Sequence, residues 1–189
     1  MQTIHLLAVA LLPSVSVAQT AETLQRWELA AVGGYATADG DDFQGVNDGF
    51  GYGAMARAHV TSQFSLGVGF YYSDHGLQGL SEHFQIKALY GEGRYSFHLP
   101  QSAVEAYVGV RGGPLREDIT RVNWQANGSV LGIITGLDWR IAPHLGLELQ
   151  AGESALQFGH VTADDGSVIT STGTNGSSFT IHTGLLFRF

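Results

Sequence analysis

The sequence predicts an all-β fold, specifically a transmembrane antiparallel up-and-down β-barrel of eight strands. Three observations lead to this prediction. Apolar residues alternate with small or polar ones from Trp27 to the C-terminal Phe189, which is the period of a strand with two different faces. Eight such segments follow one another, and the connections between them are alternately short and long. Although 44% of the residues are hydrophobic, no stretch reaches the roughly 18 apolar residues of a membrane-spanning helix.

Each of the eight predicted segments is long enough for a tilted membrane strand, which needs about 9–11 residues. The segments are residues 27–38, 49–60, 64–73, 82–98, 103–112, 128–141, 145–158 and 177–189. Short turns are predicted at 61–63, 99–102 and 142–144, and long loops at 39–48, 74–81, 113–127 and 159–176. Short turns of such barrels lie in the periplasm, so an even number of strands predicts that both termini are periplasmic.

The two faces of the predicted strands carry different chemistry, as the last segment shows. Phe179 and Ile181 share one face, and Thr180 lies on the other. We expect the apolar face to contact lipid and the opposite face to line the lumen. The alternation shifts phase at 87–89 and at 152–154, which predicts either bulges or strand ends that leave the membrane at these places.

Balanced charges occupy the predicted lumen face. Its acids are Glu28, Glu92, Glu105, Asp138 and Glu148, and its bases are Arg57, Arg94, Arg111, Arg140 and Arg188. Buried charges must be paired, and an eight-stranded barrel is just wide enough for side chains to fill. The pattern therefore predicts a salt-bridged lumen and argues against an open pore or an apolar ligand cavity. The expected charge network comprises Arg57, Glu92, Arg94, Glu105, Arg111, Asp138 and Glu148, with a carboxylate bound to each arginine. Exposure at the rim is an alternative for Glu28, Arg140 and Arg188, which lie near strand ends.

Aromatic residues cluster at the ends of the predicted strands, where a membrane barrel carries two aromatic girdles. The periplasmic girdle is predicted to contain Trp27, Phe64, Phe97, Trp139, Phe187 and Phe189. The outer girdle is predicted to contain Tyr35, Phe50, Tyr72, Phe84 and Phe158. Soluble β-proteins also place aromatic residues at strand ends, so the girdles only support the barrel.

The first 18 residues have the features of a secretory signal peptide. An apolar run extends from Ile4 to Val17, and the small residues Ser16 and Ala18 predict cleavage after Ala18. An uncleaved anchor or a buried helix is the alternative, because no Lys or Arg precedes the apolar run. Cleavage would leave a short periplasmic segment, 19–26, before a barrel domain at 27–189. The chain has no cysteine, and its formal charge of −8 argues against nucleic acid as a partner.

The C-terminal segment carries the sharpest motif. Residues 182–189, HTGLLFRF, place Gly184 before alternating aromatic residues and end the chain on Phe189. This segment resembles the β-signal of outer-membrane barrels, which the barrel-assembly machinery recognises. By this resemblance, Gly184, Phe187 and Phe189 form the assembly signal.

Two segments in the middle of the chain carry a second likeness. Residues 90–97, YGEGRYSF, and 106–113, AYVGVRGG, resemble small outer-membrane β-barrels of the OmpA transmembrane-domain and opacity-protein type. Unlike full-length OmpA-type proteins, the chain is expected to lack a peptidoglycan-binding domain after the barrel, so the resemblance does not imply a cell-wall anchor. The resemblance implies a location in the cell outer membrane, contact with outer-membrane lipid and lipopolysaccharide, and extracellular loops that bind an unidentified ligand.

Candidates for catalysis and metal binding are few, and no catalytic residue, metal or cofactor is predicted. Some eight-stranded barrels modify lipid A, and Ser73, Asp74 and His75 are the local candidates for such a site. Their order reverses the His-x-Ser order of the lipid A deacylase family, so we expect a solvated loop instead. The acidic residues of loop 39–48 supply oxygen ligands that suit Ca²⁺, but they lack a recognised loop pattern.

Two functions from different classes remain. The first is a structural or surface-interaction barrel with a salt-bridged lumen and four extracellular loops. The second is a small passive porin or a channel for hydrophobic molecules, and single-channel conductance distinguishes the two. A lipid-A-modifying enzyme is a third hypothesis, for which the sequence supplies only the reversed motif.

Overall fold

The computed structural model describes residues 26–40, 43–79, 83–98, 102–119, 124–162, 168–169 and 174–189. Its strands are β1 (Trp27–Ala36), β2 (Val46–His59), β3 (Phe64–Leu77), β4 (His83–His98), β5 (Val104–Ile119), β6 (Trp124–Ala142), β7 (Leu145–Thr162), β8 (Val168–Ile169) and β9 (Thr174–Arg188). Within these residues, no helix is long and apolar enough to cross a membrane. The predicted signal peptide and its cleavage site lie outside the described residues.

Eight of the strands close into a barrel. Strands β1 to β7 pair antiparallel in chain order, and β9 pairs antiparallel with both β7 and β1. At the closing seam, Trp27 and Phe189 exchange two backbone hydrogen bonds of 3.1 and 3.0 Å. The two-residue strand β8 pairs with the far end of β7. The predicted eight-stranded up-and-down barrel is therefore confirmed.

Six of the eight barrel strands extend further than predicted at one end of the barrel; β1 and β4 do not. We call the end that carries Trp27 and Phe189 the lower end, and the opposite end the upper end. Strands β5 and β6 continue to the upper end, so their connection is 120–123 rather than the predicted 113–127. Ladder pairs such as Asp118 with Gln125 persist there although both residues are polar. The hydrophobic alternation fades before the backbone pairing does, which is why the sequence placed the strand ends too early.

Near the upper end of the barrel, the inner face of the wall becomes apolar and the outer face becomes polar. Along β4, the inward residues change from Glu92 to Ile86, whereas the outward residues change from Leu89 to Lys87. The pairing with β3 is continuous through this region, so the strand stays in phase. The hydrophobic alternation of the sequence changes phase here because apolar residues move from the outer to the inner face, while the backbone pairing continues unaltered.

The predicted bulges at 87–89 and 152–154 are therefore wrong, whereas the other possibility, strand ends that leave the membrane, agrees with the polar outer face at this level. Strand β7 keeps its register with both β6 and β9 through the second of these regions. As a result Glu153 is exposed on the outer face of the barrel, opposite Ile133 and Phe179 in the two ladders.

Both aromatic girdles are present, with one correction. The lower girdle contains the exposed residues Trp27, Phe64, Phe97, Trp139, Phe187 and Phe189. The upper girdle contains Tyr35 and Phe50, which are exposed, and the outward-facing Tyr72. Phe84 and Phe158 are only 3% and 2% exposed and face the lumen. Their assignment to the outer girdle is wrong because the inward positions become apolar at this level.

Inward tyrosines lie over glycines of the neighbouring strand. Tyr107 pairs with Gly136 and Tyr90 pairs with Gly69 in the ladders. A Cβ on Gly136 would lie 2.5 Å from a ring carbon of Tyr107, and one on Gly69 would lie 3.0 Å from Tyr90. Glycine at these positions gives the rings room to fill the lumen.

Candidate functional site: the filled lumen

Side chains of two chemistries fill the lumen at two levels. We call the charged level the lower lumen: Glu28, Arg57, Glu92, Arg94, Asp138, Glu148 and Arg188. We call the apolar level the upper lumen: Phe43, Phe84, Ile86, Leu115, Val130, Leu156 and Phe158. All of these residues are buried. Phe43 enters from the connection between β1 and β2, and the others occupy inward positions of strands.

Arg57 is the centre of the lower lumen. Its Nη1 donates a hydrogen bond to Glu28, its Nη2 lies 3.1 Å from Glu148, and its Nε lies 3.4 Å from Glu92. The three carboxylates belong to β1, β7 and β4. Since a guanidinium offers five donors in a planar fork, one side chain can bind acceptors from three parts of the wall. Arg57 thereby links strands across the lumen.

Arg94 extends this network. Its Nε donates to Glu92, its Nη2 lies 2.6 Å from Glu148, and its guanidinium lies 4.0 Å from the centroid of the Tyr107 ring. The Tyr107 hydroxyl donates to Glu148 at 2.6 Å, and Gln150 donates to the Tyr107 hydroxyl at 3.1 Å. Sequence analysis did not include Tyr107 and Gln150 in the network. Their inward position in the alternation was the signal that could have identified them.

Arg188 joins the network near the barrel seam. Its Nε donates to Glu28 at 2.7 Å, and its Nη2 donates to Asp138 at 3.3 Å. Glu28 is 2% exposed and Arg188 is 7% exposed, so the alternative of a rim position is wrong for both. Arg140, in contrast, is exposed and lies at the rim.

Two residues expected in the network lie outside it. Glu105 is half-buried near the lower rim, where its carboxylate lies 3.4 Å from Nε2 of His98. Arg111 is buried, but its Nη2 donates to the hydroxyls of Ser154 at 3.3 Å and Thr180 at 3.1 Å. The expectation that Arg111 binds a carboxylate is therefore wrong within the described residues.

Arg111 lies at the boundary between the two levels. It is opposite Glu92 in the β4–β5 ladder, but that carboxylate contacts Arg57 and Arg94 instead. Arg111 borders a cavity of about 30 Å³, which is also lined by Tyr71. A cavity of this size has room for a water molecule, which needs at least about 10–15 Å³.

Aromatic rings fill the upper lumen. The ring centroid of Phe43 lies 5.5 Å from that of Phe84, edge to face, and 5.9 Å from that of Phe158. Such arrangements are favourable because the ring edge and face carry opposite partial charge. The predicted salt-bridged lumen is therefore found at the lower level, whereas the upper level, which the sequence did not predict, is filled by apolar side chains.

The candidate catalytic residues form a buried pair rather than a solvated loop. Nε2 of His75 lies 3.0 Å from Oγ of Ser73, and Nδ1 lies 3.1 Å from the backbone oxygen of Asn47. Burial lowers the pKa of His75, which favours a neutral ring whose Nδ1–H donates to that oxygen. Asp74 points outward and accepts hydrogen bonds from Tyr72 and His83. The pair is 1% and 0% exposed, and a backbone oxygen, not a carboxylate, orients the histidine.

The acidic segment 39–48, which the structure divides between the β1–β2 connection and the start of β2, shows no metal site in its described part. Asp48 accepts a hydrogen bond from the Tyr35 hydroxyl, and Asp39 pairs with Ser177 through the backbone. No group of three His, Asp or Glu side chains suited to a metal ion occurs among the described residues. Residues 41–42 lie outside them.

Of the predicted assembly signal, Gly184 and Phe187 lie on β9, the strand that closes the barrel, and Phe189 follows directly after it. Phe187 and Phe189 are exposed on the outer face. Gly184 faces β1 closely, since a Cβ there would lie 2.6 Å from the backbone oxygen of Ala31.

Comparison with known proteins gives the same architecture. The family profile described as "Outer membrane protein beta-barrel domain" matches residues 7–189. The crystal structure of Neisserial surface protein A has a TM-score of 0.68 at 20% identity, over 86% of this chain and 97% of that one. OprG from Pseudomonas aeruginosa has a TM-score of 0.58 at 12% identity, over 87% and 96%. A search of curated protein sequences found no match. At these identities the likeness to solved structures concerns the fold alone.

Proposed function

Because this chain belongs to the outer-membrane β-barrel protein family, we propose that it is a closed barrel that interacts with partners through its surface and does not conduct solutes. The observation that carries this proposal is Arg57, which binds carboxylates from three strands across the lumen. Packed phenylalanine rings close the lumen a second time, at a different level. Both closures argue against a porin or a channel for hydrophobic molecules.

The proposed orientation places the lower end in the periplasm and the upper end outside the cell. The described ends of the barrel chain, Trp27 and Phe189, meet at the lower end. The short connections 60–63 and 143–144 lie at the same end, as in outer-membrane barrels. Outer-membrane lipid and lipopolysaccharide are the proposed partners of the wall, and an external ligand is the proposed partner of the loops. The buried Ser73–His75 pair supports a structural rather than a catalytic role.

Conductance across a planar bilayer tests the closed lumen. We expect no steady single-channel current from purified protein that migrates differently on gels with and without boiling. The gel shift shows that the inserted sample is a folded barrel, because a closed barrel resists SDS until it is heated. A large and steady conductance from such a sample would establish the porin instead.

We further propose that Gly184, Phe187 and Phe189 are the segment that the barrel-assembly machinery recognises. Replacing Phe189 with Ser should sharply lower the amount of protein in the outer membrane. The matched control is Phe64→Ser, which removes an exposed aromatic residue of the same girdle away from the C-terminal segment. Equal membrane levels of the two variants would contradict the proposed signal.

A further inference from the structure

Four outward residues at the upper end form one continuous row across adjacent strands. The ladders pair Tyr52 with Tyr72, Tyr72 with Lys87, and Lys87 with Arg116. We call these four residues the tyrosine–cation row. In this row, two aromatic residues on β2 and β3 lie directly beside two cations on β4 and β5.

The row marks the level at which the outer face changes from apolar to polar. Two residues lower along the strands, the outward ladder positions are Ala54, Phe70 and Leu89. Two residues higher, they are Phe50, Asp74, Gln85 and Asp118. A row between an apolar belt and a more polar one is where the outer face of a membrane barrel meets the lipid headgroups.

The cations of the row are accessible and share one carboxylate. The side chains of Lys87 and Arg116 are 40% and 47% exposed. Both contact Asp118, at 2.7 and 2.9 Å, which leaves a net positive charge on the group. Cationic side chains of this kind bind phosphate through charge-assisted hydrogen bonds, and an arginine can do so with two parallel ones.

The tyrosines of the row present a broad ring surface beside these cations. The ring centroids of Tyr52 and Tyr72 are 5.1 Å apart, and Tyr52 is 55% exposed. Exposed ring faces pack against the apolar faces of sugar rings. Phosphate and sugar sites on directly paired neighbouring strands, such as Lys87 beside Tyr72, fit a single headgroup that contains both.

We propose that the tyrosine–cation row binds the phosphorylated sugar headgroup of an outer-leaflet glycolipid. Lys87 and Arg116 hold a phosphate, and the rings of Tyr52 and Tyr72 pack against a sugar. The proposal rests on the proposed orientation, in which the upper end faces outward. The site is one-sided, because β7 presents the carboxylate of Glu153 on its outer face, which repels phosphate.

Lipid retention measured by native mass spectrometry tests the site. The folded barrel in detergent is incubated with equal amounts of lipid A, a phosphorylated disaccharide lipid, and phosphatidylglycerol. We expect retention of lipid A over phosphatidylglycerol, and a loss of about tenfold in the double variant Lys87→Gln/Arg116→Gln, which lacks two charge-assisted contacts. The matched control is Arg140→Gln, which removes an exposed cation at the lower rim and should leave retention unchanged.

Two further arms separate the phosphate from the sugar. Lipid A without its phosphates should be retained as weakly by the native barrel as lipid A is by the double variant. Inorganic phosphate should compete poorly, and effective competition would overturn the contribution of the sugar. Equal retention of lipid A by the native barrel and the double variant would overturn the site altogether. If retention is equal but the barrel is closed and heat-modifiable, only the lipid site is overturned and the proposed function stands. If the barrel conducts, the proposed function is overturned and the lipid site is not.

Discussion

The lower and the upper lumen are closed by opposite means. In the lower lumen, Arg57 and Arg94 bind carboxylates from several strands. In the upper lumen, phenylalanine rings from the β1–β2 connection, β4 and β7 pack against one another. The first arrangement depends on the pairing of charges, and the second depends on the volume that side chains fill.

This difference follows from what surrounds the wall at each level. Where the outer positions are apolar and contact lipid, the polar residues of an alternating strand must face inward, and there they need partners. Above that level the outer positions are polar, as on a soluble protein, and the inward positions form an apolar core. Strand β4 shows both conditions, with Leu89 outside and Glu92 inside below, and Lys87 outside and Ile86 inside above.

The largest expected effect comes from breaking the lower lumen at Arg57. Arg57→Ala leaves three buried carboxylates without their shared partner and should cost about 3–5 kcal/mol in the free energy of unfolding. The urea midpoint followed by tryptophan fluorescence measures this loss. Arg116→Ala is the control, because an exposed ion pair contributes at most about 1 kcal/mol. Similar midpoints for the two variants would show that the lower lumen does not stabilise the barrel.

In the upper lumen, the corresponding change is Leu156→Ala. It removes a buried side chain that is 4% exposed and should cost about 2–4 kcal/mol, because it leaves a cavity. Leu156→Met keeps most of the volume and should cost less than about 1.5 kcal/mol in the same urea titration. If both variants were as stable as the native barrel, the upper lumen would not be a packed core.

A smaller effect is expected at the boundary between the two levels. Arg111→Met removes two hydrogen bonds to hydroxyl groups but strands no carboxylate among the described residues. The expected loss is about 1–2 kcal/mol, smaller than that at Arg57, in the same measurement. A loss as large as that of Arg57→Ala would reveal an acidic partner for Arg111.

The smallest effect concerns an ion pair on the outer face, which contrasts with those of the lower lumen. Burial raises the pKa of Asp118, but hydrogen bonds and charge from Lys87 and Arg116 outweigh this and lower it below its ordinary value. The contribution to stability is therefore present above the unfolded pKa, near 4, and is lost as the pH falls through the lowered folded pKa. It should stay below about 1 kcal/mol because solvent screens the group. The difference in urea midpoint between native protein and Asp118→Asn, measured from pH 6 to pH 2.5, should shrink in acid; a constant difference would contradict the assignment.

The sequence predicts the barrel well because alternation depends only on the position of a residue along its strand. Inward positions identify nearly all lumen charges for the same reason. Partner choice is a different matter: Arg94 and Arg111 both occupy inward positions near Glu92, yet only Arg94 binds it. The direction in which a side chain turns along the barrel axis depends on its neighbours in three dimensions. The alternation of the sequence does not predict it.

Depth along the barrel is the second quantity that the sequence does not record. Phe84 and Phe158 lie at strand ends, as girdle residues do, but they face a lumen that has become apolar at that height. Glu105 is on the same side of the wall as Glu148, because both pair with Asp138 in the ladders, but it lies too near the rim to join the network. The alternation predicts whether a residue faces inward or outward. It does not predict whether that face is apolar or polar at the height of the residue along the barrel.

The level at which the outer face changes from apolar to polar also sets the thickness of bilayer that the barrel can occupy. On β7, the apolar outward residues run from Leu145 to Ala151 before Glu153 is reached. Seven tilted strand residues cover roughly 15–20 Å along the membrane normal. A thicker hydrocarbon layer would immerse Glu153 and Lys87, and charged residues on the lipid face of a barrel are destabilising there, by about 2–4 kcal/mol for a lysine at the midplane. Hydrophobic mismatch should therefore make the insertion efficiency of this chain fall as the lipid acyl chains lengthen.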